Sequence, residues 1–218
     1  MAELPINDAQ SNWLPVGDIS RALAHQGYVV LPNIIPEHVA DELLFAAENH
    51  SRCFRPAGIG RGDDAHRNTF VRRDKIAWLD ASDARLTNWF SAIWALRTGL
   101  NRQLFLGLWD FECHLAHYQS GDFYARHYDA FKGKSNRRVS LVAYLNKGWQ
   151  PDQGGELVLY PQGFRGPTVS VTPQLGTVVL FLSEDMLHEV LPVARNRLSL
   201  AGWFRVNDTT GKRLDPQD

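Results

Sequence analysis

Residues 177–206, TVVLFLSEDMLHEVLPVARNRLSLAGWFRV, contain three strand patterns in succession. The runs 177–182, 187–192 and 197–206 are rich in β-branched and large apolar residues, and polar or turn-forming residues separate them. Side chains alternate between the two faces of a strand, so each run can put one face on a core and the other on a cavity. His188 and Arg197 both lie within this part of the chain.

The strand pattern extends toward the N-terminus as far as about Asp110. Gly, Pro, Asn and Asp separate the candidate strands, as expected for turns. With the three runs above, the candidates are 111–118, 122–128, 138–146, 156–160 and 168–172. Eight short strands within about 100 residues predict a double-sheet jelly roll, the double-stranded β-helix. We therefore expect a mainly β protein with supporting helices, an α+β fold.

The first half of the chain mixes helix and strand patterns. Helices are predicted over residues 18–27 and 36–50, with a strand at 28–32 between them. A longer helix is predicted from Ser82 or Asp83, because large apolar residues recur there at i, i+3, i+4, i+7 and i+8. This helix should pack on the sheet.

Composition indicates one domain. The chain has 218 residues, of which 44% are hydrophobic, enough for one sizeable core. We expect a single domain over 1–218, made of a mixed α/β supporting segment (1–105), a jelly-roll core (106–206) and a flexible tail (207–218). The net charge of −1 gives no sign of a nucleic-acid or membrane partner.

Cysteine usage favours a reducing compartment. Cys53 and Cys113 are the only cysteines, too few for a disulfide framework in a chain of this size. The first residues contain neither a basic region nor an apolar run of the kind a signal peptide has. We expect a cytoplasmic protein.

Three side chains have the pattern of a metal site. In His127-Tyr128-Asp129, positions two apart on a strand face the same way, so His127 and Asp129 can hold one ion, and His188 can complete the set. Two imidazoles and one carboxylate leave three octahedral positions open, as in non-haem Fe(II) oxygenases. Arg197 lies nine residues past His188, where its guanidinium could bind a carboxylate bidentately. A metal beside a carboxylate anchor suggests 2-oxoglutarate.

The triplet alone is a weak signal, because His127 could be an ordinary, partly buried histidine. Its surroundings strengthen the metal interpretation. His188 follows the apolar run 177–182, and Arg197 opens the run that ends at Val206. The order of these pieces fits a metal site on the wall of a barrel.

Four segments resemble a known family. They are 118–129, Tyr144-Leu145-Asn146-Lys147, Gly154-Gly155-Glu156-Leu157, and His188-Glu189-Val190 with Arg197. In this order they resemble the prolyl 4-hydroxylase branch of the Fe(II)/2-oxoglutarate-dependent dioxygenases, in particular the oxygen-sensing HIF prolyl hydroxylases and the short bacterial enzymes that hydroxylate elongation factor Tu. The resemblance runs from about Arg72 to Arg205.

The resemblance implies site residues. Iron would be held by His127, Asp129 and His188, and Arg197 would pair with the distal carboxylate of 2-oxoglutarate. The residues that match other positions of the co-substrate pocket are Tyr118, Tyr144, Leu157 and Val190. Either tyrosine could instead pack in the core with its hydroxyl satisfied. If Tyr118 points inward, so does His114, as a pocket residue or a structural one.

A second segment concerns the substrate. Residues 71–78 resemble the start of the mobile substrate loop of these hydroxylases. By this resemblance the substrate-binding residues are Arg72, Asp74, Trp78, Arg137 and Trp203. The alternatives are a surface ion pair between Arg72 and Asp74, and a core anchor for Trp78.

The resemblance implies a peptidyl-prolyl 4-hydroxylase that converts 2-oxoglutarate and O₂ to succinate and CO₂ while it hydroxylates a protein substrate. Elongation factor Tu is the first candidate substrate, oxygen sensing a candidate role and ascorbate a supporting reductant. We expect a monomer. One alternative is a hydroxylase of a free amino acid or small molecule, against which residues 72–78 argue. A second is a nucleic-acid demethylase, but those enzymes have another arginine six residues past the first, where this chain has Trp203, and the net charge of −1 also argues against it. The third is a non-catalytic cupin-like metal-binding module, which usually has an H-x-H pair rather than His127 with Asp129.

Overall fold

Two antiparallel sheets and three helices make up the part of the chain that the computed structural model describes, residues 13–58, 70–130 and 135–207. The helices are α1 (Val16–Gln26), α2 (Glu37–Asn49) and α3 (Thr87–Leu104). The strands are β1 (Tyr28–Leu31), β2 (Arg55–Pro56), β3 (Lys75–Leu79), β4 (Leu108–Tyr118), β5 (Tyr124–His127), β6 (Arg137–Tyr144), β7 (Leu157–Tyr160), β8 (Val169–Val171), β9 (Val178–Leu182), β10 (Leu187–Val190) and β11 (Arg197–Val206).

The larger sheet has the strand order β1-β9-β6-β11-β4-β3-β2, and the smaller one β5-β10-β7-β8. Neighbouring strands in both sheets pair antiparallel. The longest pairing joins β4 to β11 and aligns Tyr118 with Arg197 at one end and Leu108 with Val206 at the other. This is the predicted jelly-roll fold.

Alternation along β4 separates two cores. Phe111, Cys113 and Leu115 pack with the helices in the larger core. Ala116 and Tyr118 face the other way and belong to a second core shared with the smaller sheet. Burial of large side chains at about 25 cal/mol per Å² makes each core a main source of stability. The second core borders the cavity described below.

All eight strands predicted in the second half of the chain are present, with ends shifted by at most a few residues. Helix α3 has the predicted buried face, with Trp89 and Ile93 fully buried. It begins at Thr87, later than predicted, because Asp83 caps a 3-10 helix instead, its Oδ1 accepting a hydrogen bond from the Arg85 N–H at 3.0 Å.

In the first half one predicted helix start was wrong and one strand was missed. Helix α1 begins at Val16 rather than at Asp18, which lies in its first turn, where a carboxylate favours the helix dipole. Residues 75–79 form strand β3, which was not predicted and pairs with β4. Most of the predicted tail, 208–218, lies outside the described residues. In the described part of the chain, no helix has both the length and the apolar character needed to cross a membrane.

Candidate active site

The three predicted metal-site residues meet at one point between the sheets. His127 ends β5, and the β-ladder aligns it directly with His188 of β10. Asp129 follows β5, and its Oδ1 lies 3.5 Å from His127 Nε2 and 3.7 Å from His188 Nε2. The candidate ligand atoms of the three residues all lie within 4.8 Å of one another. This spacing suits a single metal ion.

Backbone contacts prepare both imidazoles for a cation. His127 Nδ1 lies 2.8 Å from the Ala125 carbonyl oxygen, and His188 Nδ1 lies 3.0 Å from that of Met186. A carbonyl can only accept, so each Nδ1 carries the proton and each Nε2 offers a lone pair. Such contacts fix the tautomer and the ring orientation that a metal ligand needs.

Charge at the cluster also favours a cation. Burial raises the pKa of the Asp129 carboxyl, but the neighbouring His188 and His127 and the hydrogen bond from Ser140 outweigh this, so its pKa lies well below the usual range. Burial, followed by the charge of His127, lowers the pKa of His188 to about 4. An ionised carboxylate beside a neutral imidazole is the state that binds metal.

A cavity of about 910 Å³ opens in front of the cluster. Strands of the larger sheet line one wall and strands of the smaller sheet the other. Arg197, the first residue of β11, lies in the wall formed by the larger sheet and is 1% exposed. Its Nε donates to the Gly155 carbonyl oxygen at 2.9 Å, and its Nη1 donates to Ser199 Oγ at 3.1 Å. Within residues 13–58, 70–130 and 135–207, no carboxylate pairs with Arg197, so its charge is free for an anionic ligand.

Two tyrosine rings flank this guanidinium. The Arg197 Cζ lies 4.8 Å from the centroid of Tyr118 and 5.1 Å from that of Tyr144. The Tyr144 hydroxyl is fully buried; the Arg197 guanidinium lies near enough to act on its oxygen, but no described residue accepts its hydrogen. Burial raises the pKa of Tyr144 to about 12, against the opposing effect of Arg197, so the hydroxyl remains a donor. An unsatisfied buried donor beside a guanidinium fits a carboxylate ligand.

A close backbone approach makes room for this arrangement. Gly155 has φ +71°, and a Cβ there would lie 2.6 Å from Val193 Cγ1 and 3.1 Å from Arg197 Cδ. Any side chain would therefore push Arg197 away from the Gly155 carbonyl oxygen that holds it. Gly154 also has positive φ and lies against the backbone of Pro192. Both glycines of the 154–157 segment are therefore required by the backbone conformation and by close contacts.

Comparison with known proteins agrees with this geometry. The family model of the 2OG-Fe(II) oxygenase superfamily matches residues 113–205. A prolyl-4-hydroxylase from Pseudomonas putida, known from its crystal structure, is 37% identical; the match covers 88% of this chain and 98% of that one, with a TM-score of 0.79. The chain belongs to the 2OG-Fe(II) oxygenase superfamily. Within it, the chain is similar to prolyl hydroxylases.

Two further relatives extend the comparison. A hypoxia-inducible factor prolyl hydroxylase of Caenorhabditis elegans is 26% identical over 214 residues, which cover 90% of this chain. This oxygenase chain spans only 29% of that protein, and 19% to 36% of the first curated relatives it matches. A Trichoplax adhaerens prolyl hydroxylase, solved with a peptide of the hypoxia inducible factor oxygen degradation domain, has a TM-score of 0.80 at 24% identity and shares the fold.

The superfamily implies Fe(II) and 2-oxoglutarate, and the site of this oxygenase fits both. Two imidazoles and one carboxylate form the donor set expected for non-haem Fe(II). The buried Arg197 and the unpartnered hydroxyl of Tyr144 fit the far carboxylate of a dicarboxylate. Leu157 and Val190, both predicted as pocket residues, line the cavity with apolar surface.

Four of the five predicted substrate residues, Arg72, Trp78, Arg137 and Trp203, line the same cavity, whereas Asp74 lies buried behind Arg72. Arg72 donates to Asp74, Nε to Oδ1 at 2.5 Å and Nη2 to Oδ2 at 2.8 Å. Asp74 is 1% exposed, so the alternative of a surface pair was wrong. The pair is buried because the Arg72 guanidinium also stacks on Tyr124, at 4.6 Å from the ring centroid. Trp78 borders the cavity and is 52% exposed, so it is not a core anchor.

The last two predicted residues form one stack. The Arg137 guanidinium lies 3.5 Å from the ring centroid of Trp203 and pairs with Glu112 at 2.7 Å. His114 lies between Trp203 and Trp78, at centroid distances of 5.4 and 5.1 Å. Burial lowers the pKa of His114 to about 3, with a smaller effect of nearby arginines, so it stays neutral. His114 also lines the cavity, as its spacing from Tyr118 indicated.

Sequence reasoning missed several residues that support the site. Ser140 donates to Asp129, Ser199 accepts from Arg197, and the Tyr124 ring stacks on His127 with centroids 3.6 Å apart. Strand alternation could have found two of them, since Ser199 lies two residues after Arg197 and Ser140 four residues before Tyr144.

Proposed function

We propose that this oxygenase is a peptidyl-prolyl 4-hydroxylase that uses Fe(II), 2-oxoglutarate and O₂. The observation that carries the proposal is that the metal cluster and Arg197 line the same cavity. Arg197 is buried there, and no carboxylate of the described residues pairs with it. The similarity to the P. putida prolyl-4-hydroxylase, which extends over 98% of that chain, supports the choice of reaction.

The metal ligands would be His127 Nε2, Asp129 Oδ1 and His188 Nε2. When bound, Fe(II) would let 2-oxoglutarate and O₂ react to succinate and CO₂, with transfer of one oxygen atom to the substrate. The chain's own part is to orient the ligand atoms and to leave three neighbouring positions open. The carbonyl contacts of the two Nδ1 atoms keep both imidazoles in the binding orientation.

The co-substrate would lie between the metal cluster and Arg197. Arg197 would hold the distal carboxylate bidentately, and Tyr144 would donate its unpartnered hydroxyl to the same group. Tyr118 would cover the guanidinium from the other side, while Leu157 and Val190 exclude water from the carbon chain. Exclusion of water strengthens each of these electrostatic contacts.

The protein substrate would bind at the outer part of the cavity. Arg72, with Asp74, would support that wall, and Trp78 and Trp203 offer aromatic surface that suits a proline ring. Arg137 would fix the Trp203 ring from behind. Trp78 lines the cavity while about half of its side chain is exposed to solvent, and this supports a substrate larger than a free amino acid.

Elongation factor Tu is the first substrate to test, on the strength of the resemblance to the bacterial enzymes that modify it. Four further parts of the proposal stay predictions from the sequence. They are a role in oxygen sensing, support of turnover by ascorbate, a monomeric state and a cytoplasmic location.

The proposal is tested by succinate release. Purified protein is incubated with Fe(II), 2-oxoglutarate and O₂, either alone, with free proline, or with elongation factor Tu. The proposal predicts that elongation factor Tu increases succinate release well above the other two. Equal stimulation by free proline would favour a small-molecule hydroxylase, and no succinate under any condition would contradict the proposed reaction.

A further inference from the structure

Only one oxygen of Asp129 faces the metal cluster. Oδ1 lies toward the two imidazoles, at 3.5 and 3.7 Å from their Nε2 atoms. Oδ2 instead accepts a hydrogen bond from Ser140 Oγ at 2.6 Å. One oxygen of this carboxylate thus faces the two imidazoles, and the other binds Ser140.

A second serine stands behind the first. Ser183 Oγ lies 2.9 Å from Ser140 Oγ, and the two residues are 0% and 1% exposed. A hydroxyl has one hydrogen, and an ionised carboxylate can only accept. Ser140 must therefore donate to Asp129, and the hydrogen between the two serines must come from Ser183. The result is a directed chain of two hydrogen bonds, in which each strengthens the other.

Backbone contacts hold the donor end of this chain in place. The Ser183 N–H donates to the Arg138 carbonyl oxygen at 3.0 Å, which ties the end of β9 to β6. The Ala130 N–H donates to the Ser183 carbonyl oxygen at 3.2 Å, next to Asp129 itself. The backbone of Ser183 thus holds both the strand that contains Ser140 and the turn that contains Asp129.

We propose that Ser140 and Ser183 are positioning residues that keep Asp129 a monodentate ligand. The inference rests on the proposed metal site. With Oδ2 engaged by Ser140, the carboxylate presents Oδ1 alone and leaves three octahedral positions open for a bidentate co-substrate and O₂. A carboxylate free to rotate could close on the metal with both oxygens and take one of those positions.

The test measures Co(II) affinity by calorimetric titration of the full chain, without co-substrate or turnover. Ser140→Ala removes the donor, whereas Ser140→Thr keeps it and its extra methyl can extend into the adjoining cavity. Ser183→Ala removes the second donor. Ser20→Ala is the matched control, because Ser20 is equally buried, lies on α1 and has no hydrogen-bond partner among the described residues. Circular dichroism checks that each variant is folded.

We expect Ser140→Ala to weaken Co(II) binding by about ten- to a hundredfold, the usual cost of losing a partner that orients a ligand. Ser183→Ala should cause a smaller loss, and Ser140→Thr and Ser20→Ala should stay within about threefold of the wild type. The ligand-field bands of bound Co(II) should change in Ser140→Ala and be unchanged in Ser140→Thr, since only the former frees Oδ2.

Two results would overturn the inference. One is an unchanged ligand-field spectrum in Ser140→Ala, which would mean that Asp129 binds in the same way without Ser140. The other is an equal loss of affinity in Ser140→Ala and Ser140→Thr, which would mean that the hydroxyl is not the cause. Failure of the proposed metal site is distinguishable from both, because in that case the wild-type chain itself would bind no Co(II). Failure of the proposed hydroxylation is read separately, from the release of succinate, and leaves Co(II) binding unchanged.

Discussion

Replacement of Arg197 by methionine should abolish useful affinity for 2-oxoglutarate. The side chain is 1% exposed, two tyrosine rings cover it, and its described partners are the neutral Gly155 carbonyl and Ser199 hydroxyl. A carboxylate that enters this pocket loses its hydration, and among the described residues the guanidinium is the one charged group that replaces it, beside the hydroxyl of Tyr144. Methionine has a similar length and volume but offers neither charge nor donor.

The expected magnitude follows from the burial. Removal of one partner of a buried, hydrogen-bonded charge pair costs about 2–5 kcal/mol, or about 30- to 4,000-fold in Kd. Because water has so little access to Arg197, we expect the upper part of this range, a loss of at least about 400-fold. Calorimetric titration of 2-oxoglutarate into the Co(II)-loaded protein measures this directly, without turnover.

A neighbouring arginine provides the control. Arg195 is exposed; it stacks on Trp149 and donates to Gln153 at 3.2 Å. Arg195→Ala should change Kd by no more than about twofold, as surface substitutions usually do. If Arg197→Met bound 2-oxoglutarate as tightly as Arg195→Ala, the assignment of the anchor would be refuted.

Three further predictions concern other parts of the site. Asp129→Ala should abolish Co(II) binding with the fold kept, by titration and circular dichroism; wild-type binding would remove Asp129 from the ligand set. His114 has a pKa lowered from 6.5 to about 3, so the unfolded state binds more protons between these values and stability is lost as pH falls below 6.5. Urea unfolding at pH 7.5 and 5 should show a drop about 2 kcal/mol larger in wild type than in His114→Leu, and equal drops would contradict the lowered pKa. Arg72→Ala and Trp78→Ala should reduce turnover of the protein substrate more than uncoupled decay of 2-oxoglutarate, whereas equal losses would indicate a purely structural role.

The strands of the second half were predictable from their composition and length. On β9 and β11, short runs rich in β-branched and aromatic residues lie between turn residues, a pattern that favours strands over helices. The metal cluster was equally predictable from the sequence, since His127 and Asp129 are two residues apart and share one face. Gly154 and Gly155 were visible as a motif, although only the contact with Arg197 explains the second of them.

Nonlocal contacts were beyond the sequence. Strand alternation places Ser140 on the cavity face of β6, but no spacing rule links it to Asp129, 11 residues away, or to Ser183, 43 residues away. Burial of the Arg72–Asp74 pair was missed for the same reason, because it depends on the ring of Tyr124, which strand pairing brings over the guanidinium. Pairing of Lys75–Leu79 with β4 likewise decided that this segment is a strand.

The most direct test of the account is mass spectrometry of elongation factor Tu after incubation with this protein, Fe(II), 2-oxoglutarate and O₂. The account predicts a gain of one oxygen atom on a proline, absent without 2-oxoglutarate and absent with the Arg197→Met variant. Unmodified prolines together with 2-oxoglutarate-dependent oxidation of a residue other than proline would contradict prolyl hydroxylation. An unmodified protein and no succinate from any substrate would contradict the enzyme assignment itself.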